Sequence, residues 1–283
     1  MNLLPQRRRA GLPVLALLLT ALAAPAATSP AGAVSSAVVD RAAKPTLTAP
    51  AEVDAGEKVR LKGTAPAGST VLVQRRQGSR WAALGRTTAS KAGRWSTTVR
   101  FPGAGTVTTR AVAAGTPSKV RRVVVYAWLD LASQPAIMTT SNRDLPLVLG
   151  GRTYPHSVIS LDSSSLTAVW RIDRRCTDLR YSFGFEDADR AKGDPTDRML
   201  TLASGYAPDD SVAATSGERS TDLDTTARVA LAGLRTSDRL AILYGTDDSD
   251  DDGLATLMAS PQVRCSVAAL GPIATADLPP FGG

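Results

Sequence analysis

The sequence predicts an all-β protein built as two successive sandwiches. Three observations carry this. Apolar and polar residues alternate over short runs throughout residues 46–270, the period of a half-buried strand. Turn residues recur at close intervals, as at Gly56, Pro66-Ala67-Gly68, Gly78, Gly93, Pro102-Gly103 and Gly115. No helical periodicity competes with the alternation.

The elements follow in order. Residues 1–33 read as a secretory signal peptide. Arg7, Arg8 and Arg9 form its positive start, Leu12 to Ala24 its apolar run, and Ala24-Pro25-Ala26 or Ala31-Gly32-Ala33 its small-residue cleavage site. The apolar run is shorter than the roughly 20 residues a spanning helix needs, and no transmembrane segment is expected in the mature protein. Residues 34–45 read as a linker. Residues 46–126 form the first sandwich. Val59 and Leu61 alternate with Lys58, Arg60 and Lys62, and Trp95, Thr97, Val99 and Phe101 alternate with Arg94, Ser96, Thr98 and Arg100. Thr70 to Gln77 and Arg80 to Thr88 make two more strands around Gly78-Ser79. Residues 127–270 form the second sandwich, whose longer connections suit a jelly roll. Leu166, Ala168, Trp170 and Ile172 share one face there, and Leu179, Tyr181, Phe183 and Phe185 another. Asp187 to Asp197 and Ala203 to Asp224 read as polar loops, and residues 271–283 as a flexible tail.

The net charge of +7 describes neither sandwich. Residues 41–126 hold 16 Lys+Arg and 3 Asp+Glu, a net of +13, whereas residues 127–283 hold 14 and 22, a net of −8. A polyanion partner therefore belongs to the first sandwich, the candidate being an envelope polymer. Solvated strand faces that keep edges from pairing account for the same residues. Nucleic acid is not expected, because no aromatic residues interleave with the charges as a stacking surface requires. The opposite signs predict mutual docking of the two sandwiches, weakened by salt.

With one His and two Cys, the chain has no zinc ribbon and no Cys/His cage. An even cysteine count in an oxidising compartment favours a Cys176–Cys265 disulfide over two free thiols. The Asp-rich stretch after Tyr244 offers Asp248, Asp250 and Asp252 at alternate positions before Gly253, the oxygen spacing of a calcium loop. Ala259 stands where the closing Glu would be, so an EF-hand is excluded; a low-affinity calcium site and a plain solvated acidic loop both remain. As a catalytic base His156 needs a nucleophile and an orienting carboxylate nearby, and the sequence shows neither a G-x-S-x-G elbow nor any other catalytic signature, so a hydrogen-bonded structural role is expected first and ligand contact next. Glu186 and Asp187 are adjacent, and adjacent strand residues point to opposite faces, so they do not make a glycosidase pair.

The second sandwich resembles the secreted NPCBM family, the novel putative carbohydrate-binding modules of actinobacterial proteins. Trp128-Leu129-Asp130-Leu131, the stretch from Gly150-Gly151 through Tyr154-Pro155-His156-Ser157, Val169 to Ile172, Phe183 to Asp187, and Leu240 to Tyr244 with Ser260 to Val263 carry the likeness in order. The first sandwich resembles bacterial immunoglobulin-like or fibronectin type III-like modules, through Val71 to Arg76 and Trp95. These resemblances imply an immunoglobulin-like spacer followed by a galactose-binding-like jelly roll. They imply sugar binding, and calcium, for the second.

The expected protein is secreted or cell-wall associated and not an enzyme. It binds a glycan or cell-wall polysaccharide through Tyr154, His156, Glu186, Asp187 and Tyr244, which offer planar hydrogen bonding and an aromatic face. The alternative is an envelope adhesion protein that holds a protein partner without sugar.

Overall fold

Alternation sets the first strands, and the computed structural model places their apolar sides inward. It describes residues 44–138, 142–143, 145–160, 166–188, 190, 198–246 and 256–274. The expected signal peptide, most of the expected linker, Asp248, Asp250 and Asp252 of the expected calcium loop, and most of the expected tail lie outside the described residues. No described helix is long and apolar enough to cross a membrane.

The first sandwich contains β1 (Glu52–Asp54), β2 (Lys58–Thr64), β3 (Thr70–Gln77), β4 (Arg80–Thr88), β5 (Arg94–Arg100), β6 (Gly105–Ala113), β7 (Thr116–Pro117) and the first half of β8 (Arg121–Asp130). One sheet runs β1-β8-β6-β3-β4, with β1 parallel to β8; the other is the antiparallel pair β2-β5. Val59, Leu61, Trp95 and Val99 point into the core, while Lys58, Arg60, Lys62, Arg94 and Arg100 cover the outer face of β2-β5. Trp95 can be buried because its indole N–H donates to the Thr64 carbonyl at 3.1 Å.

The second sandwich contains β9 (Ile137–Met138), β10 (Asn142–Arg143), β11 (Leu147–Leu149), β12 (Arg152–Tyr154), β13 (Ser157–Ser160), β14 (Leu166–Arg171), β15 (Cys176–Phe185), β16 (Arg198–Tyr206), β17 (Val212–Thr215), β18 (Arg219–Asp222), β19 (Ala227–Ala232), β20 (Arg239–Thr246) and β21 (Thr256–Cys265). One antiparallel sheet runs β10-β13-β21-β15-β19 and the other β16-β20-β14-β9, with β17 and β18 both on the free edge of β16. Trp170, Ile172, Leu179, Phe183, Phe185 and Met199 fill the core between them, each essentially unexposed. The Trp170 indole N–H reaches the Leu131 carbonyl at 3.1 Å. Cys176 and Cys265 are direct cross-strand partners and form the disulfide, which ties β21 to β15.

The stretch Ala203 to Asp224, expected as a loop, is largely strand. It completes β16 and adds β17 and β18. These two edge strands, Val-Ala-Ala-Thr and Arg-Ser-Thr-Asp, are mostly exposed on both sides. They are held by backbone pairing to β16, which leaves no alternation to read.

β8 joins the two sandwiches. Its residues 121–126 pair with β6 and β1, and residues 127–130 pair with β21, so one unbroken strand serves both.

Candidate functional site

Two glycines with positive φ start the site. Gly150 (φ 59°) and Gly151 (φ 73°) make the two-residue turn between β11 and β12, where Leu149 pairs with Arg152. Such a turn requires the left-handed region at both positions, which is why this chain has Gly-Gly there. Asp187, just past β15, holds the turn. Its two carboxylate oxygens accept the Gly150 N–H at 2.7 Å and the Gly151 N–H at 2.6 Å, and its own N–H donates to the Val148 carbonyl at 3.0 Å. The Arg190 Nε lies 3.0 Å from the same carboxylate, an ion pair by distance in which the N–H is not aligned for a hydrogen bond. Asp187 therefore fixes a loop, and Glu186 beside it is half-buried.

At the other end of the hairpin, Tyr154 is half-buried against Leu149, Ile159, Leu257 and Ala259. His156 lies two residues on, 51% exposed, with Nδ1 3.4 Å from Asp130. That carboxylate also caps the turn at Leu131–Ser133. Ser157, next in the chain, is fully buried and cannot present a nucleophile to solvent. Tyr244 sits elsewhere, on β20 inside the core, 2% exposed. It borders a separate cavity of about 190 Å³ with Thr201 and Glu218. Its phenol is pushed above the ordinary value, first by burial and then by the nearby Tyr181. The five candidates thus divide: Tyr154 and His156 lie together, Glu186 and Asp187 sit by the turn, and Tyr244 is in the interior.

What surrounds Tyr154 is a cleft of about 340 Å³ on the outer face of β19-β15-β21. Arg152, Tyr154, Arg180, Arg228, Ser260 and Gln262 line it. Arg180 is opposite Gln262 on β21, and Ser182 is opposite Arg228 on β19. Arg180 donates to the Gln262 amide oxygen from Nε at 3.0 Å and from Nη2 at 2.8 Å, and its guanidinium lies 3.9 Å from the Trp128 ring centre. The Arg152 guanidinium lies 5.0 Å from the Tyr154 ring centre. A bulge shapes the floor. Between the pairs Arg180–Gln262 and Ser182–Ala259, β21 uses one residue more than β15, and Ser260 there has φ 47°. The Ser260 N–H turns instead to the His156 carbonyl at 2.9 Å. Sequence reasoning reached Tyr154 and His156 but not the arginines. Their only signal was their outward register between Leu179, Tyr181 and Phe183, which any solvated strand shares.

A larger groove, about 710 Å³, lies on the first sandwich rather than near these residues. Arg60, Lys62 and Arg94 line it with hydroxyls of Thr48, Thr88 and Ser96. Among the described residues, no group of three or more His, Cys, Asp or Glu is placed to hold a metal ion.

No protein-family model matches the chain, and no curated protein does. Solved structures similar to it include the second CBM51 domain of Clostridium perfringens ZmpB in complex with GlcNAc, with INT domains. It is 14% identical over 78% of this chain and 48% of that one, with a TM-score of 0.40. The tandem CBM51 modules of Sp3GH98, the family 98 glycoside hydrolase of Streptococcus pneumoniae SP3-BS71, are 7% identical over 77% of this chain and 83% of that one, TM-score 0.37. TmCBM61 in complex with β-1,4-galactotriose is 9% identical over 49% of this chain and 86% of that one, TM-score 0.25. The chain spans 34–48% of the length of the three ZmpB structures it matches.

Proposed function

We propose that this is a secreted, non-catalytic carbohydrate-binding protein that holds a glycan or cell-envelope polysaccharide in the cleft beside Tyr154. The observation that carries the reading is the lining of that cleft. Guanidinium groups and the Gln262 amide are planar donors and acceptors, suited to the paired hydroxyls of a sugar. A tyrosine ring at the rim supplies the apolar face that sugar rings pack on. Use of the Asp187 carboxylate by the Gly150-Gly151 turn argues against hydrolysis at Glu186 and Asp187. Secretion is supported by the Arg7–Arg9 start with its apolar run, and by the disulfide.

The basic groove of the first sandwich favours a second contact, with an anionic envelope polymer. Arg60, Lys62 and Arg94 face it without a carboxylate among the residues that line it.

A glycan array and pulldown on insoluble cell wall test the reading, with Tyr154→Ala and Gln262→Ala as variants. Each substitution is expected to weaken saccharide binding about tenfold, the scale of one lost stacking or hydrogen-bonding contact. If no saccharide or wall fraction binds while a protein partner is retained, the adhesion alternative replaces it.

A further inference from the structure

We infer that the cleft beside Tyr154 selects an acidic glycan, taking its carboxylate or phosphate group through Arg152, Arg180 and Arg228. This rests on the carbohydrate-binding reading above and narrows its ligand.

The pairing of arginines across the second sandwich carries the inference. Residues 127–283 are acidic, with 22 Asp+Glu against 14 Lys+Arg. Most of the described arginines on this surface find carboxylates. Arg171, Arg174, Arg190, Arg198, Arg235, Arg239 and Arg264 each have one within ion-pair distance. Among the described residues Arg152, Arg175, Arg180, Arg219 and Arg228 have none, and of these five Arg152, Arg180 and Arg228 line one cleft. Three like charges brought together without a counter-charge repel one another, and a bound anion removes that cost.

Two of the three are also held in place. Arg180 is fixed twice, by the Gln262 amide and by stacking on Trp128 at 3.9 Å. Arg152 lies over the Tyr154 ring. A guanidinium already oriented loses less freedom on binding than a loose lysine would. Its fork of N–H donors matches two oxygens of one carboxylate or phosphate. Arg228 makes no hydrogen bond or ion pair among the described residues, so it is free to close on the ligand. The bulge at Ser260 is the second, independent sign. A non-glycine residue at φ 47° followed by Pro261 interrupts the ladder beneath these arginines. Interruptions of this kind cost energy and recur where a strand is shaped around a ligand.

The test uses the mature chain and titrates three ligands by calorimetry. These are a uronate oligosaccharide, the same oligosaccharide with its carboxyls reduced to alcohols, and a glycerol-phosphate oligomer. The wild type is expected to bind at least one anionic ligand about tenfold more tightly than the reduced one, as a charge-assisted bidentate contact provides. Which of the two binds identifies carboxylate or phosphate as the source of the charge. Arg228→Gln, alone and with Arg180→Gln, is expected to abolish that preference. Since Arg228 supports nothing else, a folding defect does not obscure its result. Arg219→Gln, at an exposed arginine of the second sandwich outside the cleft, is the control and should leave the preference intact. Equal affinity for the acidic and reduced sugars overturns the inference and leaves carbohydrate binding standing. A preference kept in the Arg228 variants but lost in an Arg60→Gln, Lys62→Gln double variant puts the anion site in the groove of the first sandwich and overturns it as well. Failure of every saccharide to bind overturns both.

Discussion

Tyr244 and Tyr181 lie close together, yet they are satisfied differently. The Tyr181 hydroxyl is 2.8 Å from that of Thr201, which itself donates to the Leu243 carbonyl. The Tyr244 hydroxyl is buried with no hydrogen-bond partner among the described residues. A buried hydroxyl without a partner carries its desolvation cost uncompensated, about 1–3 kcal/mol. Tyr244→Phe removes the hydroxyl and keeps the ring, so it should raise stability by about 1 kcal/mol. Tyr181→Phe, which breaks a made bond, should lower it by a similar amount. Thermal melts of the two variants check this; a fall in Tm for Tyr244→Phe would sink the argument. Saccharide binding should be unchanged in Tyr244→Phe, since the ring is core. In the sequence Tyr244 offers an aromatic face and a hydrogen-bonding hydroxyl just before the Asp-rich stretch. Its inward facing is decided by the pairing of β20 with β16 and β14.

Among the elements, the β11–β12 hairpin shows how a short motif becomes a wall of the cleft. Each of its strands has three residues and little buried surface of its own. Its position therefore depends on the turn, and the turn on Asp187. Asp187→Ala leaves two glycine N–H groups without their acceptor and Arg190 without its ion-pair partner. It should cost about 1–3 kcal/mol, read in a denaturant melt. It should also weaken saccharide binding, because Arg152 and Tyr154 ride on the hairpin. Asp187→Asn keeps one acceptor oxygen and should fall between. Loss of stability with unaltered binding would show that the hairpin does not shape the cleft. Elements with side-chain alternation, such as β2, β5 and β15, were legible in the sequence. So was the disulfide, because an even count left one pairing. β17 and β18 were not, since edge strands with polar residues on both sides carry no period. The cleft arginines escaped for the converse reason: their register was plain, but convergence across three strands depends on pairing order, which a single strand does not encode.

At the scale of the whole molecule, the two sandwiches meet with their charges reversed. The expectation was docking between a +13 surface and a −8 surface. Instead, acidic residues of the basic sandwich face arginines of the acidic one. Glu52 takes a two-pronged contact from Arg235 at 2.8 and 2.6 Å, and Asp54 accepts from the Arg264 Nε at 2.6 Å. The Tyr126 ring lies beside both guanidinium groups, 4.3 Å from Arg264 and 5.5 Å from Arg235. Two of the three acidic residues in 41–126 are thus engaged at the junction, and the bulk of the positive charge is left for other partners. Since β8 also runs unbroken through both sheets, salt should not separate the sandwiches. Small-angle scattering is expected to give the same interdomain distance at low and high ionic strength.

Acid, by contrast, should act on the Glu52 pair. The Arg235 hydrogen bond, outweighing partial burial, holds the Glu52 carboxyl below its ordinary value of 4.5. A carboxyl that titrates lower in the folded chain than in the unfolded one stabilises the fold above the unfolded value. That contribution is lost as pH falls through the folded value. Both partners are substantially exposed, 40% for Glu52 and 52% for Arg235, so solvent screening limits the pair to a few tenths to about 1 kcal/mol. Glu52→Gln should therefore melt below the wild type at pH 7 and converge with it as pH falls well under 4.5. A gap of the same size at both ends of that range would mean that the contact is held by packing on Tyr126 and not by charge.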